Sequence, residues 1–472
     1  MKKETSDRKI SLCITSALLI VLAVQYWCYV DVAKTTIPFM DFWHWIALYG
    51  EKVQDGTIRF WDFFNSDLGE HIQPIGMAIN FISLKWAGFD VVPSIEIGTM
   101  LRIVMALALV TYFDISFKKI HPVNDVVKLI TEVALFLCVI NYNQWEMTTE
   151  PFNLSNVYRV ANYYLSFIWA DHWLANMEKC SNKKNLLCGI IFGCFCSFLT
   201  LFVGAAYFVG HLMAIGLACL WILIQRKHNW KSYFGPMFIW GVISFIGAVG
   251  YVYLLLQRKT QIESATLSMV VFAINLIQGI CLFWGSVLVA TPFINDYGSQ
   301  FVAILGVVVL IGTIIIFVCY LKLHRDGTGM FPAICFLYAF CISIAITMGR
   351  NEKFGINTMC SSRYVVESSI GLFGVIWMAY SLWSGKSKKK KENILAAGAI
   401  TFFCLMLLLS AKIQISFSPY MKESFENLEK IMRNIDDYTD EELGGFQANN
   451  PSDVRYCVKF LKENSLSIFK VS

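Results

Sequence analysis

Ile10 to Val30 reads ISLCITSALLIVLAVQYWCYV, and Pro38 to Pro74, shortly after it, reads PFMDFWHWIALYGEKVQDGTIRFWDFFNSDLGEHIQP. The first run carries no charge and meets the roughly 20 residues a helix needs to cross a hydrocarbon core of about 30 Å. The second interleaves Asp41, Glu51, Asp55, Asp62, Asp67 and Glu70 with Trp43, Trp45, Trp61 and several Phe. A span followed at once by carboxylates and aromatic rings puts a surface for something polar at a membrane face. Sugars suit such a surface, because their hydroxyls need acceptors and their C–H faces pack on rings.

The rest of the chain repeats the apolar theme. Hydrophobic residues make up 56% of the 472 residues against 15% charged, and the mean hydropathy is +0.55, far above a soluble globular chain. The expected class is therefore an all-α polytopic membrane protein. The net charge of +5 does not imply nucleic acid, because the basic residues sit in short clusters beside apolar runs. Ile10–Val30 follows MKKETSDRK, is too long for a signal peptide's apolar core and has no small-residue cleavage site after it, so it reads as a retained span. Most of the 15 cysteines, such as Cys138, Cys194, Cys196 and Cys319, lie inside apolar runs as small hydrophobes, with no metal-ligand spacing.

Basic clusters order the topology. They fall at Lys2/Lys3/Arg8/Lys9, Lys118/Lys119, Lys183/Lys184, Arg226/Lys227/Lys231, Lys322/Arg325 and Lys388 to Lys391. Placing all of them in the cytoplasm needs an even number of crossings between neighbours. Spans at 10–30, 93–115, 126–143, 157–176, 186–203, 206–225, 234–256, 299–321, 329–348, 365–384 and 394–411 satisfy this. Two apolar stretches remain. Residues 75–87 are too short to span and are expected as an interfacial helix. Residues 267–290, with Gln278, Gly279, Gly285 and Pro292, are expected as a re-entrant or broken hairpin within 267–298. The expectation is a bundle of about eleven spans over 1–411, with a periplasmic first loop at 31–92. The N-terminus is then inside and the C-terminus outside.

Residues 412–472 are polar and soluble-like. Helical spacing recurs in Phe425-Leu428-Ile431-Ile435 and in Val454-Val458-Leu461, and Asn450-Pro451-Ser452-Asp453 reads as a turn with an N-cap. A small exterior helical tail is expected.

Polar residues then converge on the outer face from distant parts of the chain. The first loop gives Asp41, Glu70 and His71; the stretch NYNQWEMTTEPFNLSN gives Gln144, Trp145 and Glu146. The connection 257–266 gives Arg258 and Lys259, and MGRNEKFGINTMCSSRY gives Arg350, Lys353 and Arg363. Tryptophans at span ends also serve as plain interfacial anchors, and a lone loop acid is often only solvated. Asp41 stands out because it follows a span closely and sits amid rings. Arg363 stands out because it opens a span on the side that charge bias disfavours; its planar fork suits a phosphate, with a structural salt bridge as the other reading. Arg102, within the second span, has Glu96 close by as an expected partner.

These residues carry a resemblance. Met40-Asp41-Phe42-Trp43, Gly69-Glu70-His71, Gln144-Trp145-Glu146, Gly349-Arg350 with Phe354-Gly355, Ser361-Ser362-Arg363-Tyr364, and Leu461-Lys462-Glu463-Asn464 to Ile468-Phe469 follow one another through nearly the whole chain. In that order they resemble the C-type (GT-C fold) membrane glycosyltransferases that use polyprenyl-phosphate sugars. Size and exterior tail look most like the serotype-converting O-antigen glucosyltransferases of enterobacteria and their phages. The first-loop acid here is the single Asp41, where some GT-C enzymes have an adjacent acidic pair.

The resemblance implies transfer of a sugar, glucose first among candidates, from a polyprenyl-phosphate donor to a surface polysaccharide such as O-antigen. It implies the periplasmic face of a bacterial inner membrane, the service of a flippase and of a glycosyltransferase that makes the donor, and no cofactor. Asp41 is the expected base with Glu70 in reserve, and Arg363 and Arg350 are the expected phosphate clamps. Trp43, Trp61, Trp145, Gln144, Glu146 and His71 are the expected sugar contacts. Asp41, Glu70 and His71 are too scattered to specify a metal. A transporter or flippase of lipid-linked sugars or polysaccharide is the competing class, though the chain has no clear inverted repeat. A non-catalytic membrane scaffold or export subunit is the third.

Overall fold

The structure, a computed structural model, describes residues 2–65, 73–117, 125–177, 183–202, 205–226, 230–256, 269–324, 328–384, 390–448 and 450–470. Among these residues every regular element is helical. The α-helices are α1 (Lys2–Ala33), α2 (Asp41–Asp55), α3 (Pro74–Ala87), α4 (Val92–Phe117), α5 (Asp125–Val139), α6 (Asn153–Asn176), α7 (Lys183–Leu201) and α8 (Ala205–Gln225). They continue as α9 (Trp230–Leu256), α10 (Met269–Ser286), α11 (Thr291–Tyr297), α12 (Ser299–Leu323), α13 (Phe331–Phe354), α14 (Val365–Ser384), α15 (Lys390–Arg433) and α16 (Pro451–Glu463).

Nine of the described helices are long and apolar enough to cross a membrane: α1, α4, α7, α8, α9, α12, α13, α14 and α15. Their outward faces are apolar, with Ile20, Phe245, Ile246, Ile304 and Leu405 all more than half exposed. Only hydrocarbon covers so much apolar surface without cost. The chain is thus a multi-pass helical membrane protein. The other two expected spans, 126–143 and 157–176, are helical as α5 and α6 but fall outside that measure. Only 15 residues of α5 are helical, and α6 turns Asn156, Arg159, Asn162 and Asp171 into the interior.

α14 is the axis of the bundle. Every residue from Val365 to Leu382 is buried, and the helix packs on α13, α15, α5 and α12. A helix apolar on every side belongs in the middle. α12, with the highest mean hydropathy of the nine, 3.2, is only 28% buried and belongs against lipid.

α10 packs along α12 in a hairpin whose contact depends on two glycines. A Cβ on Gly285 would lie 2.1 Å from the Val302 carbonyl oxygen, and one on Gly306 would lie 1.8 Å from that of Cys281. From Cys281 to Ala290 the chain is buried, and it then turns through α11 into α12. α3 is the short helix expected at 75–87. It buries Met77, Asn80, Phe81 and Leu84 and exposes Ile82 and Trp86 on the opposite face.

The tail is built onto the first loop. α15 runs 44 residues, about 66 Å at 1.5 Å per residue, more than twice the hydrocarbon thickness. It passes residue 411 without interruption, and toward its C-terminal end Phe425 meets Phe39 edge-on at 5.3 Å. Asn450 caps α16 by accepting from Ser452 N, and Val454, Cys457, Val458 and Leu461 form its buried stripe. That stripe faces α2, where His44 Nδ1 lies 2.8 Å from Asp453 and the Tyr456 hydroxyl donates to Glu51 at 2.6 Å. Each large apolar side chain buried there contributes about 1.5–3 kcal/mol, enough to make tail and loop one unit.

Candidate functional site

The site begins at the N-terminus of α2. This helix is amphipathic: Phe42, Trp43, Trp45, Ile46, Tyr49 and Val53 are buried, while Glu51, Lys52 and Asp55 are exposed. Gly56, in the left-handed region, closes it with bonds back to Lys52 and Val53. At the other end Met40 has φ 55°, a costly conformation for a side chain of its size, held by Met40 N donating to Phe446 O at 3.1 Å. The strained turn delivers the half-buried Asp41 to the first turn of the helix, where the positive end of the helix dipole favours a carboxylate.

The second component is the 3-10 turn Tyr142–Met147 between α5 and α6. Asn141 accepts from Asn143 N at its start. From below, the buried Arg102 donates to Gln144 Oε1 at 2.6 Å, to Met147 O at 3.2 Å and to Asn153 Oδ1 at 3.4 Å. Gln144 Nε2 in turn donates to Ser369 at 3.2 Å. The expected Arg102–Glu96 pair is not formed: Glu96 meets Lys34 at 2.7 Å, because Arg102 lies on the buried side of α4 and Glu96 toward the rim. Arg102 is thus the cation around which the turn is wound.

The third component is the turn before α14. Glu146 Oε2 accepts from Ser361 Oγ at 2.9 Å and from Arg363 N at 2.9 Å, and Glu146 N donates to Ser362 Oγ at 3.2 Å. The guanidinium of Arg363 stands 3.5 Å from the same carboxylate as an ion pair, its Nε without a hydrogen bond. Glu146 therefore fastens the two turns together and holds Arg363 partly exposed. Asp41 is within electrostatic range of Arg363 and of Glu150.

Glu150 is the unexpected member. It is fully buried, and both carboxylate oxygens are without a hydrogen-bond partner among the described residues. Burial pushes its carboxyl well above the usual range, the nearby charges of Glu146 and Asp41 push the same way, and Arg363 opposes them. Its proton is therefore held more tightly than that of an ordinary glutamic acid.

Below these turns lies a layer the sequence reading passed over. Arg159 of α6 and Glu367 of α14 form a buried ion pair at 3.0 Å. The guanidinium lies 4.4 Å from the ring centroid of Tyr207 on α8 and donates to Asn156 Oδ1 at 2.8 Å. Tyr163 and Tyr338 pack nearby, their ring centroids 4.7 Å apart and their hydroxyls beside one another. The signal was present, since a charge inside an apolar span marks a functional position by default. It was read at Arg102 and not at Arg159 or Glu367.

Of the expected residues, Asp41, Glu146 and Arg363 gather in one cluster, and Gln144 supports it from inside, too buried to meet a ligand. Arg350 is half-buried at the end of α13, within electrostatic range of Tyr364 and Tyr207. Trp61 is 70% exposed and free to present its face. Trp145 is half-buried, its ring N–H donating to Thr291 at 3.2 Å. Trp43 departs from expectation: α2 turns it to the core, where it is fully buried against Phe446 and no sugar reaches it. Asp62 serves its own turn, since Arg59 N donates to it at 2.7 Å; that bond, with Lys52 nearby, holds its carboxyl below the usual range. Glu70 and His71 lie outside the described residues, as do Arg258 and Lys259. Among the described residues no three His, Cys, Asp or Glu side chains come together as metal ligands.

No family model matches the chain, and no curated protein or solved structure is similar to it.

Proposed function

We propose that the chain is a GT-C-like membrane glycosyltransferase that moves a sugar from a polyprenyl-phosphate donor to a hydroxyl of a surface polysaccharide such as O-antigen. The active site faces the periplasm of a bacterial inner membrane, in a bundle of about eleven spans. The observation that carries the reading is that Asp41, on a strained turn at a helix N-terminus, lies within electrostatic range of Arg363, which is held outward by Glu146. Glycosyl transfer from a phosphate needs that combination. The acceptor oxygen bonds to the anomeric carbon while the bond from that carbon to the phosphate oxygen breaks. The phosphate leaves with the electron pair, and the acceptor's proton passes to a carboxylate, here Asp41. Arg363, with Arg350 behind it, balances the charge that grows on the phosphate. Trp61 offers a ring for the sugar, and the apolar flanks of the bundle take the prenyl chain.

A transporter of lipid-linked sugar is the second reading, favoured by the Arg159–Glu367 pair inside the bundle. The two part over whether a covalent bond breaks. Purified protein in lipid nanodiscs, given a radiolabelled polyprenyl-phosphate sugar and a lipopolysaccharide acceptor, should move label from the lipid phase into glycan. Label that crosses a liposome membrane still attached to its lipid would replace the transferase reading with the transporter.

A further inference from the structure

Three arginines, not two, converge beneath the outer turns. Tyr207 is within electrostatic range of both Arg159 and Arg350, and Tyr364 is within range of both Arg350 and Arg363. The two tyrosines thus link a row Arg159–Arg350–Arg363 drawn from α6, α13 and the turn before α14. Arg159 is the innermost, with only 10% of its side chain exposed. The half-buried Tyr207 ring lies over its guanidinium. The same helix reaches the outer turn through Asn156 Nδ2, which donates to Met147 O at 3.4 Å.

The partner of Arg159 is poorly held. Glu367 is fully buried, yet neither of its oxygens makes a hydrogen bond among the described residues, and its contact with Arg159 at 3.0 Å lacks hydrogen-bond geometry. The Nε of Arg159 is also without a partner there. A buried ion pair stabilises only when its geometry is good and its remaining donors and acceptors are satisfied. This pair meets neither condition. A carboxylate that serves only to neutralise an arginine should yield to an anion with more oxygens, such as a phosphate, which a guanidinium grips with two parallel bonds.

We propose that Arg159 is an anion-binding group for the phosphate of a phospho-isoprenoid, and that Glu367 is the internal anion that occupies it while the site is empty. The inference rests on the transferase reading for the identity of the ligand, since it deepens the phosphate side of that same site. In the empty protein Glu367 competes with the ligand, so apparent affinity is lowered by the fraction of molecules with the pair closed. On binding, the phosphate takes the guanidinium and Glu367 turns toward the Tyr163 and Tyr338 hydroxyls, which lie beside the pair, within electrostatic range of both Arg159 and Glu367.

The probe is farnesyl phosphate, a soluble short-chain isoprenoid phosphate, titrated into the purified full chain in detergent with binding read directly. Glu367→Gln removes the competing charge and should tighten binding about tenfold. Arg159→Met paired with Glu367→Leu replaces the whole ion pair by apolar groups, a change that buried pairs tolerate well. That double variant should keep its melting temperature and weaken binding about tenfold or more. Binding at wild-type strength by the folded double variant overturns the role of Arg159. Unchanged or weaker binding by Glu367→Gln overturns the competition, and failure of the wild type to bind overturns both. Binding in the expected pattern by a protein that transfers no sugar leaves this inference standing and sinks the transferase reading instead, so the two failures are distinct.

Discussion

Glu150→Gln is a substitution whose effect can be worked from the structure. The wild-type carboxyl is fully buried, has no hydrogen-bond partner among the described residues, and is shifted upward by burial and by the charges of Glu146 and Asp41. In the unfolded chain the same group ionises near the ordinary glutamate value of about 4.3. Above that pH the folded state holds one more proton than the unfolded state, so wild-type stability falls as pH rises. The slope is at most about 1.4 kcal/mol per pH unit, and it persists until the folded carboxyl itself ionises. Glutamine has the same shape and no proton to lose, so the variant lacks this slope. Its advantage over wild type should therefore be small near pH 5 and grow toward pH 7. Thermal unfolding of both proteins in detergent from pH 5 to 8 measures the difference. Parallel profiles, or a variant less stable at every pH, would mean that Glu150 is ionised and paired and that the cluster is electrostatically different from what its geometry implies. Sugar transfer should survive in this variant, because Glu150 is fully buried and out of an acceptor's reach.

Arg363→Lys keeps the charge held by Glu146 but loses the planar fork, so transfer and donor binding should both fall well below wild type; transfer at the wild-type rate would make Arg363 structural. Gly306→Leu forces apart α10 and α12, where even a Cβ would lie 1.8 Å from the Cys281 oxygen, and should destabilise by at least about 1–3 kcal/mol. Gly312→Leu on the same helix, with no neighbour within 4 Å, is the matched control in the same melting experiment. A periplasm-only reporter fused after Ser472 should be active; activity of a cytoplasm-only reporter there would reverse the topology and make 267–290 a crossing.

The membrane class and most helices were legible because apolar length and basic flanks act along the chain and need no partner. α3, the caps of α16 and the stripe Phe425-Leu428-Ile431-Ile435 were legible for the same local reason. The site was only half legible. Asp41, Glu146 and Arg363 were found because a polar residue in a loop beside a span asks for an explanation. Trp43 was misjudged because aromatic rings on an amphipathic helix look alike until it is known which face meets α16 and Phe446. Arg102 was found but given to Glu96, its neighbour in sequence, when its partners come from the turn Tyr142–Met147 and from α6. Arg159 and Glu367 were missed because their meaning lies in helices brought together only by folding, and Glu150 because only folding buries the loop that carries it. Sequence distance carries no trace of that meeting.

The central claim is that a carboxylate at the start of α2 drives sugar transfer at the membrane surface. Expression of wild type, Asp41→Asn and Glu70→Gln at equal membrane abundance, in a host of defined O-antigen, tests it directly through the mass of the polysaccharide repeat. Wild type should add one hexose, and Asp41→Asn should add none, since loss of a general base slows the step about 10²–10⁴-fold. An unmodified repeat with wild type would contradict the transferase account. Continued addition by Asp41→Asn with none by Glu70→Gln would move the base to Glu70.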